Sequence, residues 1–242
     1  MSVRLPVFGV FAGVYDWLTA HDWWTDATLR LLDPWTGPPP TRLLDIGCGP
    51  GGSTFALARA LGPSCHIVGV DLAPGMIARA RRHQQALREA GVPVDHVEFL
   101  VGDATRLDLA DGSFDVITGH SFLYLVAARE RALAELRRVL RPGGMVLLLE
   151  PTPGDGLLGA WRRGVDELPA TSDLLTRVGF VVTMTAWRTA SGAAGRLRPA
   201  TIEALFAQAG LTPLPCRPAF GGMALRAAAR NPHKDAPGGP DA

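Results

Sequence analysis

The chain has 242 residues, 47% of them hydrophobic and 19% charged, with 24 Lys+Arg against 23 Asp+Glu and a formal net charge of +1. That length fits one large α/β domain with decoration or two small domains, and the balanced charge asks for neither nucleic acid nor an acidic partner. The three cysteines, Cys48, Cys65 and Cys216, have no C-x-x-C spacing, and the six histidines form no paired motif, which argues against a disulfide framework and against any metal site and points to a reducing, cytoplasmic setting.

Residues 6–32 read as helical and rich in aromatics, including Phe8, Phe11, Tyr15, Trp17, Trp23 and Trp24. The apolar opening is broken by Tyr15 and Asp16, too short to span a bilayer, and followed by no clear cleavage site, so stable membrane insertion is not expected. The stretch DPWTGPPP (33–40) stops any helix and acts as a stiff spacer. RLLDIG then reads as a fully buried strand. Gly52 and Ser53 open a helix with Phe55, Leu57, Ala58 and Leu61 apolar, and Gly62 is its stop. HIVGVD (66–71) reads as a strand, Pro74 begins a helix running to about Ala90, and Gly91 caps it. VEFLVG (97–102) is a third strand, and DGSFDVITG gives a turn and a fourth strand ending near Gly119. Ala128 to Leu140 is an amphipathic helix with Leu133, Leu136, Val139 and Leu140 on one stripe; RPGG (141–144) ends it, and MVLLLE (145–150) is a fifth strand. Residues 151–200 carry helical signals without a βα unit. A helix over Thr201 to Ala209 and short strands near 212–217 and 222–229 follow. The alternation implies an α/β, doubly wound, mostly parallel seven-stranded sheet with right-handed crossovers. The expected organisation is an N-terminal helical cap and linker (1–40), a central domain (41–230) with a lid-like insertion (151–200), and a polar, disordered tail (231–242).

The stretch DIGCGPGG (45–52) decides the chemistry. Gly47, Gly49 and Gly52 fit G-x-G-x-x-G, the dinucleotide fingerprint. A pyrophosphate uses the N–H groups of a helix N-terminus and is disfavoured by a nearby carboxylate, and Asp45 is such a carboxylate. S-adenosylmethionine carries an ammonium and a sulfonium, which Asp45 favours directly or through water. Asp71, 19 residues after Gly52, suits the two ribose hydroxyls of either cofactor. In GDAT (102–105), Asp103 can accept from an adenine amino group and the Ala104 N–H can donate to a ring nitrogen.

LLDIGCGPGG, VGVDLAPGMIARAR, GDATRLDLADGSFDVI and ELRRVLRPGGMVLLLE, in order over residues 43–150, resemble the successive motifs of the class I S-adenosylmethionine-dependent methyltransferases, which are Rossmann-like. FAGVYD (11–16) resembles the N-terminal segment of the ubiquinone/menaquinone-biosynthesis type, where a Tyr–Asp pair lies near the cofactor. The resemblance fades after residue 151. It implies S-adenosyl-L-methionine as cofactor and a cofactor-binding set of Tyr15, Asp45, Gly47, Cys48, Gly49, Asp71, Leu72, Met76, Asp103, Ala104 and His120. The family's Asn-Pro-Pro-Tyr motif for planar amides is absent after the fourth strand, where GHSF stands, which argues against adenine-N6 or glutamine methylation.

Plainer readings stand beside these roles. Asp71 and Asp103 also suit helix caps, Met76 helix packing, and Tyr15 and Tyr124 the core. Cys48 reads as a small buried thiol rather than a nucleophile. His120 follows strand four, where it can touch the cofactor through its backbone or act as the catalytic general base, since imidazole titrates near neutrality. Glu150 and Asp155 can orient a substrate or be ordinary loop carboxylates. Residues 174–202 hold four arginines and no acid around the apolar VGFVVTMTAW, which reads as a core helix, an active-site cover or a membrane-surface patch. The leading reading is methyl transfer to a small apolar or aromatic acceptor held by the tryptophan-rich N-terminal segment and the 151–200 insertion, or else these tryptophans are ordinary core. The alternatives are a protein that binds the cofactor for another purpose, and a nicotinamide oxidoreductase, which Asp45 and Asp103 disfavour. The acceptor atom and the oligomeric state stay open.

Overall fold

The structure, a computed structural model, describes residues 22–154, 157–168 and 172–233. The elements are α1 (Asp22–Leu29), β1 (Arg42–Ile46), α2 (Gly52–Leu61), β2 (His66–Asp71), α3 (Pro74–Glu89), β3 (Val97–Val101), β4 (Phe114–His120), α4 (Arg129–Val139), β5 (Leu140–Pro151), α5 (Leu157–Asp166), α6 (Leu174–Ala194), α7 (Pro199–Gln208), β6 (Thr212–Ala219) and β7 (Ala224–Arg230). One-turn helices lie at Arg30–Leu32, Leu123–Leu125 and Phe220–Gly222.

The strands form one seven-stranded sheet in the order β3-β2-β1-β4-β5-β7-β6. Neighbours from β3 to β5 are parallel, and β7 runs antiparallel between β5 and β6. This is the doubly wound, Rossmann-like architecture that the alternating pattern predicts. Because β1 pairs with both β2 and β4, the chain winds outward to β3 and then crosses back, opening a crevice at the carboxyl ends of β1 and β4 where such sheets bind ligands.

Buried apolar side chains form a layer on each face of the sheet. Trp24, Leu57, Ile77, Ala160 and Phe180 bring α1, α2, α3, α5 and α6 onto one face, while Leu133, Leu136, Ile202 and Phe206 bring α4 and α7 onto the other. Gly69 in β2 is forced by packing, since a Cβ there would stand 2.7 Å from the Phe99 ring. Among the described residues, no helix is long and apolar enough to cross a membrane.

The structure departs from expectation in two places. RPGG does not fully separate α4 from β5; the strand begins at Leu140, which pairs with Phe114, and 141–144 bulge out of the ladder, with Gly143 at φ 78°, before pairing resumes at Val116 and Met145. The run VGFVVTMTAW lies within a 21-residue helix, α6, that buries Phe180, Met184 and Trp187, in keeping with the core-helix reading, and leaves Leu174, Leu175, Val178 and Val182 exposed. The assigned tail does not start at Asn231. That residue is buried, its Nδ2 donates to Leu140 O at 2.8 Å, and its backbone exchanges hydrogen bonds with Gly143 and Gly144. Residues 234–242 lie outside the described residues.

Asn231→Ala strips the donor from the Leu140 carbonyl inside a buried turn, so it should destabilise the fold by about 1–3 kcal/mol. Chemical denaturation of the variant against the parent measures this, and equal stability would remove Asn231 from the fold's hydrogen-bonding framework.

Candidate active site

Strand β1 is buried from Leu43 to Ile46, and it carries Asp45 to its carboxyl end with no exposed surface. Three hydroxyls fill the carboxylate. Thr54 Oγ1 and Ser53 Oγ donate to Oδ2 at 2.6 and 3.3 Å, and Thr118 Oγ1 donates to Oδ1 at 3.0 Å. Asp45 therefore presents no exposed surface at the crevice. It lies beneath the glycine loop, and its charge acts on the crevice through a low-dielectric interior.

Above it the loop turns on Gly47, Gly49 and Gly51, whose φ angles of 67°, 53° and 92° belong to the left-handed region that glycine enters freely. The N–H groups of Gly47 and Cys48 both donate to Val70 O, at 2.8 and 3.1 Å. Cys48 is buried; desolvation, then Asp45 and Asp71, push its thiol well above its ordinary range, so it stays a neutral filler.

Asp71, at the end of β2, braces the loop. Its Oδ2 accepts from the Gly49 N–H at 2.9 Å and its Oδ1 from the Ala73 N–H at 2.8 Å. The helix-cap reading fails here, because Ala73 itself occupies the N-cap of α3 and makes no side-chain cap. Burial raises the Asp71 carboxyl despite its two backbone donors. Leu72, next in the chain, is exposed, and Met76 is buried in the first turn of α3. At the end of β3, Asp103 is exposed and its Oδ1 accepts from the Thr105 N–H and hydroxyl, both at 2.8 Å, beside the buried Ala104.

His120 ends β4 with 2% exposure, under the Trp24 indole at 6.0 Å between ring centroids. Its Nδ1 lies 3.8 Å from Asp45 Oδ1, and among the described residues neither ring nitrogen has a hydrogen-bond partner. Ser121 follows at φ 52°, and its Oγ accepts from Trp187 Nε1 at 3.1 Å, which ties α6 to the end of β4. Tyr124 is core, and burial then Glu150 push its hydroxyl far up.

Glu150 is neither a substrate-orienting group nor an ordinary loop carboxylate. It is fully buried and accepts from the N–H groups of Phe122, Leu123 and Tyr124 at 3.0, 2.8 and 3.1 Å, so it holds the turn that follows β4. Tyr15 and Asp155 lie outside the described residues. Asp45, Gly47, Cys48, Gly49 and His120 thus meet at the β1–β4 crevice, with Asp71, Leu72 and Met76 on the β2 side and Asp103 with Ala104 at the end of β3. The hydroxyls of Ser53, Thr54 and Thr118 escaped the sequence reading; the Ser-Thr pair just after the glycine loop was the available sign.

A methyltransferase-domain family matches residues 44–148. The demethylmenaquinone methyltransferase of Lactococcus lactis is 34% identical over 152 residues, covering 60% of this chain and 56% of that protein. The nocamycin O-methyltransferase of Saccharothrix syringae is 34% identical over 169 residues, covering 70% of this chain and 58% of that protein. The chain thus spans little more than half the length of these curated relatives. A methyltransferase solved in complex with the Haloferax volcanii Trm112 activator shares the fold, with a TM-score of 0.65 and 19% identity over 93% of this chain and 96% of that one.

The buried Glu150 generates a pH dependence. Desolvation outweighs its three backbone donors and pushes its carboxyl up to about 7. A folded-state value above the unfolded one means that its stabilising contribution is complete below the ordinary carboxylate range and is lost as pH rises through about 7. Urea unfolding at pH 5 and pH 8 should show the parent losing roughly 2–3 kcal/mol more than Glu150→Gln over that interval. Parallel pH profiles for the two proteins would contradict the assignment.

Proposed function

We propose, from the premise that residues 44–148 are a class I S-adenosylmethionine-dependent methyltransferase domain, that the chain transfers a methyl group from S-adenosylmethionine to a small apolar or aromatic acceptor in the cytoplasm. The observation that carries the reading is Asp71, whose carboxylate holds the glycine loop through Gly49 and keeps one lone pair on each oxygen for a further donor. Those two acceptor positions fit the hydroxyls of a ribose diol. Asp103 and the Ala104 N–H suit the adenine edge, Leu72 and Met76 its faces, and the N-terminus of α2 the amino-acid carboxylate. Asp45 favours the cationic end from beneath the loop. No nucleic-acid acceptor is called for by a chain of net charge +1.

The bound cofactor supplies a methyl group already activated by its sulfonium, so the leaving group needs no acid. The chain's work is alignment and exclusion of water. Trp24, Trp187 and Phe220 form an aromatic layer beside His120, and α5 with α6 act as the lid. His120 lies at the cofactor end of the crevice. Where the acceptor arrives as a hydroxyl, His120 is the base placed to take its proton, with Asp45, 3.8 Å from Nδ1, close enough to stabilise the imidazolium by charge.

Calorimetry with S-adenosylhomocysteine against NAD tests the cofactor, and labelled methyl transfer into a metabolite extract tests the reaction. Binding of NAD instead would reinstate the oxidoreductase; binding of S-adenosylhomocysteine with no transfer would leave a cofactor-binding protein. Asp71→Ala should weaken S-adenosylhomocysteine at least about tenfold, a loss of roughly 1.5–3 kcal/mol, and unchanged affinity in the folded variant would refute the ribose assignment. His120→Gln should lower kcat on a hydroxyl acceptor by about 10²-fold or more while cofactor affinity changes far less. A near-parental kcat would rule out the base role.

A further inference from the structure

A cavity of about 280 Å³ is bounded by α1, α5, α6 and the hairpin between β6 and β7. Its apolar walls are Trp23, Phe180 and Phe220, whose rings meet edge to face at centroid distances of 5.2, 5.6 and 6.2 Å. Flat aromatic walls around a volume at the small end of ligand pockets suit a compound of one or two rings.

The charges at the mouth are two acids and two arginines, and all but one are committed. Asp26 takes Arg30 Nε at 2.7 Å, and Glu167 Oε1 accepts from the Gly221 N–H at 2.9 Å. Among the described residues, Arg226 forms no ion pair. It gives Nη2 to the Pro218 carbonyl at 3.2 Å, and its Nε is buried without a hydrogen-bond partner. A guanidinium N–H withdrawn from water and left unpaired is costly, and a carboxylate is the partner that matches its geometry and charge.

The cavity is also in line with the crevice. Arg226 on β7 pairs with Leu149 on β5, and Leu149 pairs with His120 on β4. Directly paired residues share a face, so Arg226 and His120 lie in one row, two strand spacings or about 10 Å apart. Trp24 lies over His120 and stacks on Phe220, a wall of the cavity, at 6.0 Å and 17°.

We propose that this cavity is the acceptor-recognition subsite and that it selects an aromatic carboxylate, with Arg226 meeting the carboxylate and the Trp23, Phe180 and Phe220 rings flanking the aromatic body. The proposal rests on the methyltransferase reading for the ligand's role, but not for its binding. The probe is cinnamate, titrated into the full chain saturated with S-adenosylhomocysteine, with cinnamyl alcohol as its uncharged counterpart. Cinnamate should bind, and Arg226→Gln should raise its Kd at least about tenfold while cinnamyl alcohol binds weakly to both proteins. Arg226→Lys should recover part of the loss. Glu167→Gln, at an exposed position, should tighten cinnamate by removing a carboxylate from the same mouth. Affinity for S-adenosylhomocysteine should be unchanged in all three variants. Failure of S-adenosylhomocysteine to bind the parent would defeat the cofactor reading while leaving the cinnamate result standing. Equal cinnamate affinity in the parent and Arg226→Gln, or no cinnamate binding to the parent, would overturn the subsite.

Discussion

The buried carboxylate of Asp45 is the fixed point of this structure. Its charge has no access to water, and such a group is tolerated only when its lone pairs are filled. Ser53 and Thr54 approach from the first turn of α2, and Thr118 from β4. Satisfying one side chain therefore fixes the end of β1, the start of α2 and the end of β4 with respect to each other. The glycine loop is whatever the chain must do between Ile46 and Gly52 to bring those hydroxyls back, and three left-handed glycines are how it does so.

Two further carboxylates repeat the logic at the same edge of the sheet. Asp71 ties the loop to the end of β2 through the Gly49 N–H. Glu150 ties the turn after β4 to the end of β5 through three consecutive N–H groups. Acids thus hold the carboxyl ends of β1, β2 and β5, and they do so with backbone amides and hydroxyls rather than with counter-ions. The result is an edge whose backbone is tied together at three strand ends by acidic side chains.

The aromatic layer over β4, β5 and β7 serves packing and site together. Trp24 is 1% exposed and belongs to the core, yet its ring covers His120. Trp23 packs on Phe180 and Phe220 and lines the adjoining cavity. Both tryptophans are thus core residues, and Trp23 also borders the cavity. Trp187 extends the layer to Ser121, so α6 is anchored to the strand end that carries His120.

The mostly parallel sheet and the glycine loop were legible in the residues, because they follow from local periodicity and from glycine and proline at turns. The placement of Asp45 and Asp71 at strand ends was legible too, since the alternation itself locates those ends. What each carboxylate does was decided only by tertiary structure. Asp45 loses its water to hydroxyls eight, nine and 73 residues away, and Glu150 takes three N–H groups from a turn more than 25 residues earlier. No local pattern encodes such pairs, because burial and hydrogen bonding at these sites come from segments brought together by the sheet. The same holds for Arg226 and His120, which sequence separates by more than a hundred residues and strand register places in a single row.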